Sequence, residues 1–189
     1  MKKFFVILAL LSLTLPAFAK PGTIVSYTID PEKNAWDHNN KGVEYMSEKC
    51  YYAAIQEFKI AISLNPKAQS TAIYMNNLGK VYLVIGYPEL AVGCFEDALK
   101  QYSLNFEFYE NLAKCYKQLG KASSQLSAYK AKEKTNPTAQ IMVGLLQEQT
   151  GNIRQAITTL DDFAMSEPDL IITPAVKKHI KDLVKKINR

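Results

Sequence analysis

A spacing pattern that recurs about every 34 residues constrains this chain more than any other feature of its sequence. Small and aromatic residues recur with the same internal gaps of three, nine, four and three residues. Self-similarity at a fixed period indicates a stack of helical hairpins, in which each unit buries its apolar face against its neighbours. Such arrays bind other molecules more often than they catalyse reactions. The two sets are Gly42, Tyr45, Ala54, Phe58 and Ala61, then Gly79, Tyr82, Ala91, Phe95 and Ala98.

The pattern resembles the tetratricopeptide repeat, whose units form two antiparallel helices, A and B. In that family, small residues let helices A and B pack closely, aromatic residues fill the space between them, and a proline ends helix B. Pro66 stands at that place in the first unit, and Gly86 stands at the turn of the second. The resemblance implies an all-α, right-handed solenoid of about four hairpins, followed by a C-terminal capping helix.

Four units are predicted within residues 35–169, and the third matches the pattern less well than the first two. Gln125 and Lys132 stand where helix B of the third unit should carry small residues. A shift by one residue would place Ser124 and Ala131 there instead, and the sequence leaves this register open. The predicted bounds of the units are 35–68, 72–105, 106–136 and 137–169.

The fourth unit departs from the pattern in another way. Gln147 and Leu160 replace its two aromatic residues. Its helix A carries Ile141, Met142 and Leu145 at positions that the resemblance directs toward the groove. Two interpretations remain for these three residues: they extend the groove with an apolar end, or they pack under the C-terminal helix.

Residues 1–19 have the organisation of a secretory signal peptide. Lys2 and Lys3 precede an apolar run from Phe4 to Leu15, and small residues flank the cleavage site predicted after Ala19. An uncleaved anchor is the alternative, but a membrane span needs about 20 apolar residues and this run is shorter. A short leader of this kind is typical of bacteria, so the mature chain is expected in the periplasm or outside the cell, without a transmembrane segment.

The two ends of the mature chain differ from the repeats. Residues 20–34 are predicted to be an extended segment, either a linker or an arm that adds to a partner's sheet edge. Residues 173–189 are predicted to form an amphipathic capping helix, whose polar face carries five lysines and Arg189 against Asp182. That face is either solvated or makes a weak contact with an anionic membrane surface. Nucleic acid is not expected, because no aromatic residues alternate with the lysines to stack on bases.

The helices A of this family line a concave groove, and asparagine recurs there. Asn40, Asn77 and Asn111 occupy the same position in three units. A carboxamide both donates and accepts, so a row of them could hold the backbone of an extended peptide. The alternative is that asparagine is simply common at this position in the family. Trp36 is expected in the core or cap rather than in contact with a ligand. The predicted groove residues are Asn39, Asn40, Asn76, Asn77, Lys80, Asn111 and Lys114.

The sequence contains no motif typical of a catalytic or cofactor-binding site. His38 and His179 lie at opposite ends of the predicted array, and no metal-binding or phosphate-binding spacing occurs. The three cysteines lack metal-type spacing; Cys94 and Cys115 are expected to be buried free thiols, and Cys50 is expected near a turn, where a bridge between chains is the alternative. We therefore expect neither an enzyme nor a cofactor.

Two functions fit this sequence. The first is an exported adaptor or chaperone-like module that holds a peptide or protein segment in the groove. The alternative is a structural subunit of a larger cell-envelope or secretion complex, joined through the ends or the convex face of the array. Tyr51, Tyr52 and Tyr87, near the predicted turns, are the candidate contacts for the alternative.

Overall fold

The chain is all-helical over residues 30–188, the range that the computed structural model describes. Nine α-helices and no strands lie within this range, so the expected all-α solenoid is confirmed. The predicted signal peptide and residues 20–29 lie outside the described residues. The helices are α1 (Pro31–Ser47), α2 (Tyr51–Leu64), α3 (Thr71–Val84), α4 (Pro88–Gln101), α5 (Phe106–Gln118), α6 (Ala122–Lys132), α7 (Ala139–Gln149), α8 (Ile153–Ser166) and α9 (Thr173–Ile187).

Helix α1 has a well-formed N-terminus. The Asp30 side chain accepts hydrogen bonds from the backbone N–H groups of Glu32 and Lys33, at 3.0 and 3.1 Å. Pro31 follows in the first turn, where its missing N–H would lack an intrahelical partner in any case. The helix therefore begins four residues before residue 35, the predicted start of the first unit.

Close approach of helices A and B depends on glycine in the first two units. A Cβ atom on Gly42 would lie 2.6 Å from the ring of Phe58, and one on Gly79 would lie 2.7 Å from the ring of Phe95. Both phenylalanines are fully buried. The ring of helix B thus occupies the space where any other residue of helix A would place its side chain, as the spacing of the sequence predicts.

The tyrosine that follows each of these contacts is less buried near the start of the array. Tyr45 is 36% exposed, whereas Tyr116 is only 3% exposed and donates a hydrogen bond from its hydroxyl to Glu96 of helix α4, at 2.7 Å. This tyrosine position therefore faces the preceding unit. Tyr45 lies in the first unit, which no unit precedes among residues 30–188, and it fills less of the core than the pattern predicts.

The third hairpin is more open than the others. Helix α6 has few contacts with α5 and packs mainly against α7, and Ala122 is its only buried residue. Neither register left open by the sequence gives a close contact, because Ser124, Ala131 and Lys132 are all exposed. Helix α5 instead packs directly against α7.

Helix α7 lies in the centre of the C-terminal half. All seven residues from Ile141 to Gln147 are buried, including Met142 and Leu145. A helix that is apolar on all sides must be covered on all sides. These three residues are therefore buried in one core cluster with Val176 and Leu183 of α9, and they do not form an apolar end of the groove.

Helix α9 covers the end of the array. It packs against α8, with Val176 and Leu183 buried, and reaches α5, where the rings of His179 and Phe106 lie 5.2 Å apart. Lys177, like the other lysines of this helix, stays exposed. Among residues 30–188, no helix is both long and apolar enough to cross a membrane.

Candidate functional site

The predicted groove residues lie on three helices A, α1, α3 and α5, whose exposed faces we call the groove surface. In this fold the helices A line the concave side of the array. Side-chain hydrogen bonds connect α1 to α3 and α3 to α5. Four of the seven predicted residues, all asparagines, take part in these bonds, and the seven differ widely in exposure.

The asparagines of neighbouring units bond to one another. Asn77 donates from Nδ2 to Oδ1 of Asn39, and Asn111 donates from Nδ2 to Oδ1 of Asn76, both at 2.9 Å. Asn39, Asn76 and Asn111 are buried. The sequence grouped Asn40, Asn77 and Asn111 by unit position, whereas the structure pairs residues at adjacent positions of successive units. These amides thus use hydrogen-bonding capacity to hold the helices A together.

Glu107 connects the amide pairs to a lysine, a role that the sequence analysis missed. Its Oε1 accepts from Nζ of Lys80 at 3.0 Å and from Nδ2 of Asn76 at 3.3 Å. Partial burial acts to raise the pKa of Glu107, but hydrogen bonds from Lys80, Asn76 and Asn111 outweigh it and hold the pKa below the ordinary value. The signal in the sequence was the place of Glu107 in the first turn of the third helix A, near the asparagines and lysines of the groove positions.

The accessible part of the groove surface is both polar and apolar. Asn40 and Lys114 are exposed, and Asn77 and Lys80 are half-buried. Three apolar groups lie among these residues without cover: Trp36 is 57% exposed, Ile73 46% and Val43 42%. Trp36 was expected in the core or cap; the core is wrong, because its side chain faces solvent on the first helix of the array. Large exposed apolar groups on one face are typical of interaction surfaces.

A cavity of about 480 Å³ lies at the C-terminal end of the groove surface, between the start of α5 and helix α9. Its walls include Leu104 and Phe106 on one side and Ile172, Ala175 and His179 on the other. Helix α9 thus forms one wall of this cavity, and the start of α5 forms the other.

His179 fixes the position of α9. Its Nε2 lies 2.9 Å from Oε2 of Glu148 in α7, and its Nδ1 lies 3.6 Å from Oε1 of Glu110 in α5. The hydrogen bond from His179 holds the pKa of Glu148 below its ordinary value; burial opposes this shift, and the charges of Lys186 and Lys114 add to it. One imidazole therefore joins three helices.

Two of the three cysteines are held as protonated thiols by burial. Burial raises the pKa of the Cys94 thiol to about 11 and that of the Cys115 thiol to about 12, so both are protonated at neutral pH. Cys115 is buried and Cys94 is half-buried, whereas Cys50 is exposed beside the first turn. All three are free thiols.

Comparison with known proteins shows similarity in structure alone. No family model matches the chain, and no curated protein matches it. A tetratricopeptide repeat protein from Parabacteroides merdae has 19% sequence identity and a TM-score of 0.51 over 82% of this chain, which spans 62% of that protein. The fold is therefore that of tetratricopeptide repeat proteins.

Two further solved structures are similar over the same share of this chain. The MamA protein has 17% identity and a TM-score of 0.49, with 89% of its chain covered. YrrB, described as a TPR protein with an unusual peptide-binding site, has 18% identity and a TM-score of 0.49, with 84% of its chain covered.

Proposed function

We propose that this protein is an exported interaction module that holds an extended peptide or protein segment on its groove surface. One observation carries the proposal: Trp36, Val43 and Ile73 are exposed on helices α1 and α3, beside accessible amides and lysines. When a partner covers these exposed apolar groups and removes them from water, the free energy of binding becomes more favourable.

The polar network beneath these residues supports the same function. Asn39, Asn76 and Asn111 are buried and fix the spacing of the three helices. A groove held in position before binding loses less conformational entropy when a segment docks. The outer residues Asn40 and Asn77 would then contact the backbone of the segment, and Trp36 and Ile73 would contact its apolar side chains.

Site-specific photocrosslinking in the native cell tests this function. A crosslinking residue at Ile73 samples the groove surface, and one at Tyr87, which is similarly exposed at the turn before α4, is the matched control. We expect a discrete protein adduct from position 73 and none from position 87. Trp36→Ala should diminish the adduct without changing the helical content. Absence of an adduct at position 73, with an adduct at position 87, would refute the proposal.

A second function is favoured by exposed side chains at the turns. Tyr52 is 75% exposed, Leu90 52% and Tyr87 50%. A subunit of a larger cell-envelope or secretion complex could join its partners through this edge. In that case Tyr52→Ala and Tyr87→Ala would release the protein from the complex, whereas Trp36→Ala would not.

The site of action follows from the leader sequence. We propose that residues 1–19 direct export and are removed after Ala19, so the module acts in a bacterial periplasm or outside the cell. Fractionation of the native cell, with N-terminal sequencing of the mature protein, tests this part separately. A cytoplasmic protein that retains its leader would contradict it.

A further inference from the structure

A buried carboxamide in helix α7 lacks a hydrogen-bonding partner. Gln147 is only 5% exposed, and its Oε1 accepts no hydrogen bond from any of the described residues. It is the one such side-chain atom within residues 30–188. Because an unpaired buried acceptor loses its bonds to water without replacing them, it destabilises the fold and requires an explanation.

The repeat provides that explanation. Gln147 occupies the unit position that holds Tyr116 in the third unit, where the tyrosine hydroxyl reaches Glu96 in helix B of the preceding unit. The position equivalent to Glu96 in the third unit is Lys130, in helix α6. Glutamine is shorter than tyrosine, and the amide of Gln147 forms no hydrogen bond with Lys130 or with any other side chain of α6. The fourth unit thus lacks the phenol ring that the other three units carry at this position.

A depression of about 310 Å³, open to solvent, lies beside Gln147 between α6, α7 and α8. Lys130 and Arg154 are exposed, and neither forms a salt bridge with a carboxylate of the described residues. The hydroxyl of Thr158 donates to the carbonyl oxygen of Arg154 at 3.2 Å. The depression therefore has two unpaired cations at its surface and the side chain of Gln147 in its wall, with the unpaired oxygen covered beneath it. Its lining residues are Lys130, Gln147, Arg154, Gln155, Thr158 and Thr159.

We infer that this depression binds an acidic amino-acid residue of a peptide. A carboxylate would pair with Lys130 and Arg154, and arginine is suited to bidentate contact with carboxylates. Oε1 of Gln147 is covered in the unbound protein, so the backbone N–H of the acidic residue would donate to it once the amide group turns toward the depression. An acidic residue supplies both groups a short distance apart. None of the lining residues belongs to the groove surface, so this site goes beyond the proposed function and would act independently of it.

Titration of the isotope-labelled protein by NMR tests the site. The probe is N-acetyl-aspartic acid amide, and N-acetyl-asparagine amide is its neutral isostere. We expect the charged probe to shift the signals of Gln147 and of residues 153–159, and the neutral probe to leave them unchanged. Equal shifts with both probes, or charged-probe shifts confined to other residues, would overturn the inference.

Substitutions define the contacts. Lys130→Gln should weaken binding of the charged probe about tenfold, which corresponds to the loss of one charge-assisted hydrogen bond. Lys67→Gln makes the same change on an exposed lysine in the loop between α2 and α3, and it should leave binding unaltered. Equal effects of the two substitutions would show general electrostatic attraction and would overturn the site.

Gln147→Tyr tests the depression itself. It restores the residue that three other units carry at this position, so the fold is expected to persist while the ring occupies the depression. The charged probe should then no longer shift residues 153–159. Retained binding by a folded Gln147→Tyr variant would overturn the inference, and Lys130→Gln keeps the test valid should that variant not fold.

Discussion

Asn111 donates a hydrogen bond to Asn76 across 2.9 Å, and both carboxamides are buried between α3 and α5. A pair of this kind stabilises the fold only while both members are present. Removal of one member leaves the other with unpaired polar atoms inside the protein, where water cannot replace the lost bond. The pair therefore makes the spacing of α3 and α5 sensitive to single substitutions.

Asn111→Ala should lower the free energy of unfolding by about 1–3 kcal/mol, because it leaves Oδ1 of Asn76 without its donor. Chemical denaturation measures the change. Asn40→Ala is the matched control: Asn40 is exposed, and its substitution should stay within about 0.5 kcal/mol of the parent protein. Equal losses from the two substitutions would contradict a structural role for the buried pair.

Gly79→Ala should destabilise the second hairpin, since the added Cβ would lie 2.7 Å from the ring of Phe95. Overpacking of this kind costs about 1–3 kcal/mol. Gly93→Ala provides the comparison in the partner helix α4, because nothing lies within 4 Å of the added Cβ. There the better helix propensity of alanine should raise stability by about 0.5–1 kcal/mol.

Thermal unfolding distinguishes the two glycine variants by the opposite signs of their shifts in midpoint. A Gly79→Ala protein as stable as the parent would show that the ring of Phe95 can move aside. The close contact between helices A and B would then not depend on glycine.

The Glu148–His179 contact predicts a loss of stability in acid. The folded-state pKa of Glu148 is depressed, so its contribution is present above the unfolded-state pKa of about 4.5 and is lost as the pH falls through the lower folded-state value. Glu148→Gln should remove this part of the pH dependence. Asp161→Asn, an exposed carboxylate on α8, should keep it.

The free energy of unfolding is measured between pH 3 and pH 7 for the parent and both variants. This pH range is chosen because the pKa of Glu148 is lowered in the folded protein. The parent and Asp161→Asn curves should remain parallel, and the Glu148→Gln curve should be flatter below about pH 4.5. Parallel curves for all three proteins would show that Glu148 is not coupled to folding.

The sequence predicted the hairpins well because their packing rules are local. Gly42 and Phe58, like Gly79 and Phe95, lie at fixed separations, and their contacts follow from that spacing. The third hairpin was harder to predict. The sequence showed that Lys132 does not suit a close contact, but it could not show that α5 would pack on α7 instead.

The sequence predicted which residues lie on the groove surface, but not which of them form hydrogen bonds with one another. Placement of asparagines on the helices A required only the repeat. The choice of bonding partners depends on the offset between successive helices, which pairs Asn39 with Asn77 instead of aligning Asn40 with Asn77. The exposure of Trp36 is shared by Ile73 at the same position of the second unit, so this unit position faces solvent in both.

The direct packing of α5 on α7 changes how the array unfolds. In a regular stack each unit contacts only the units next to it, so the loss of one helix separates the units on either side. Here α5 contacts α7 directly, and α6, which has a single buried residue, is not needed for that contact. Detachment of α6 would leave the two halves joined, and its amide hydrogens should exchange with solvent through a local opening that the neighbouring helices do not share.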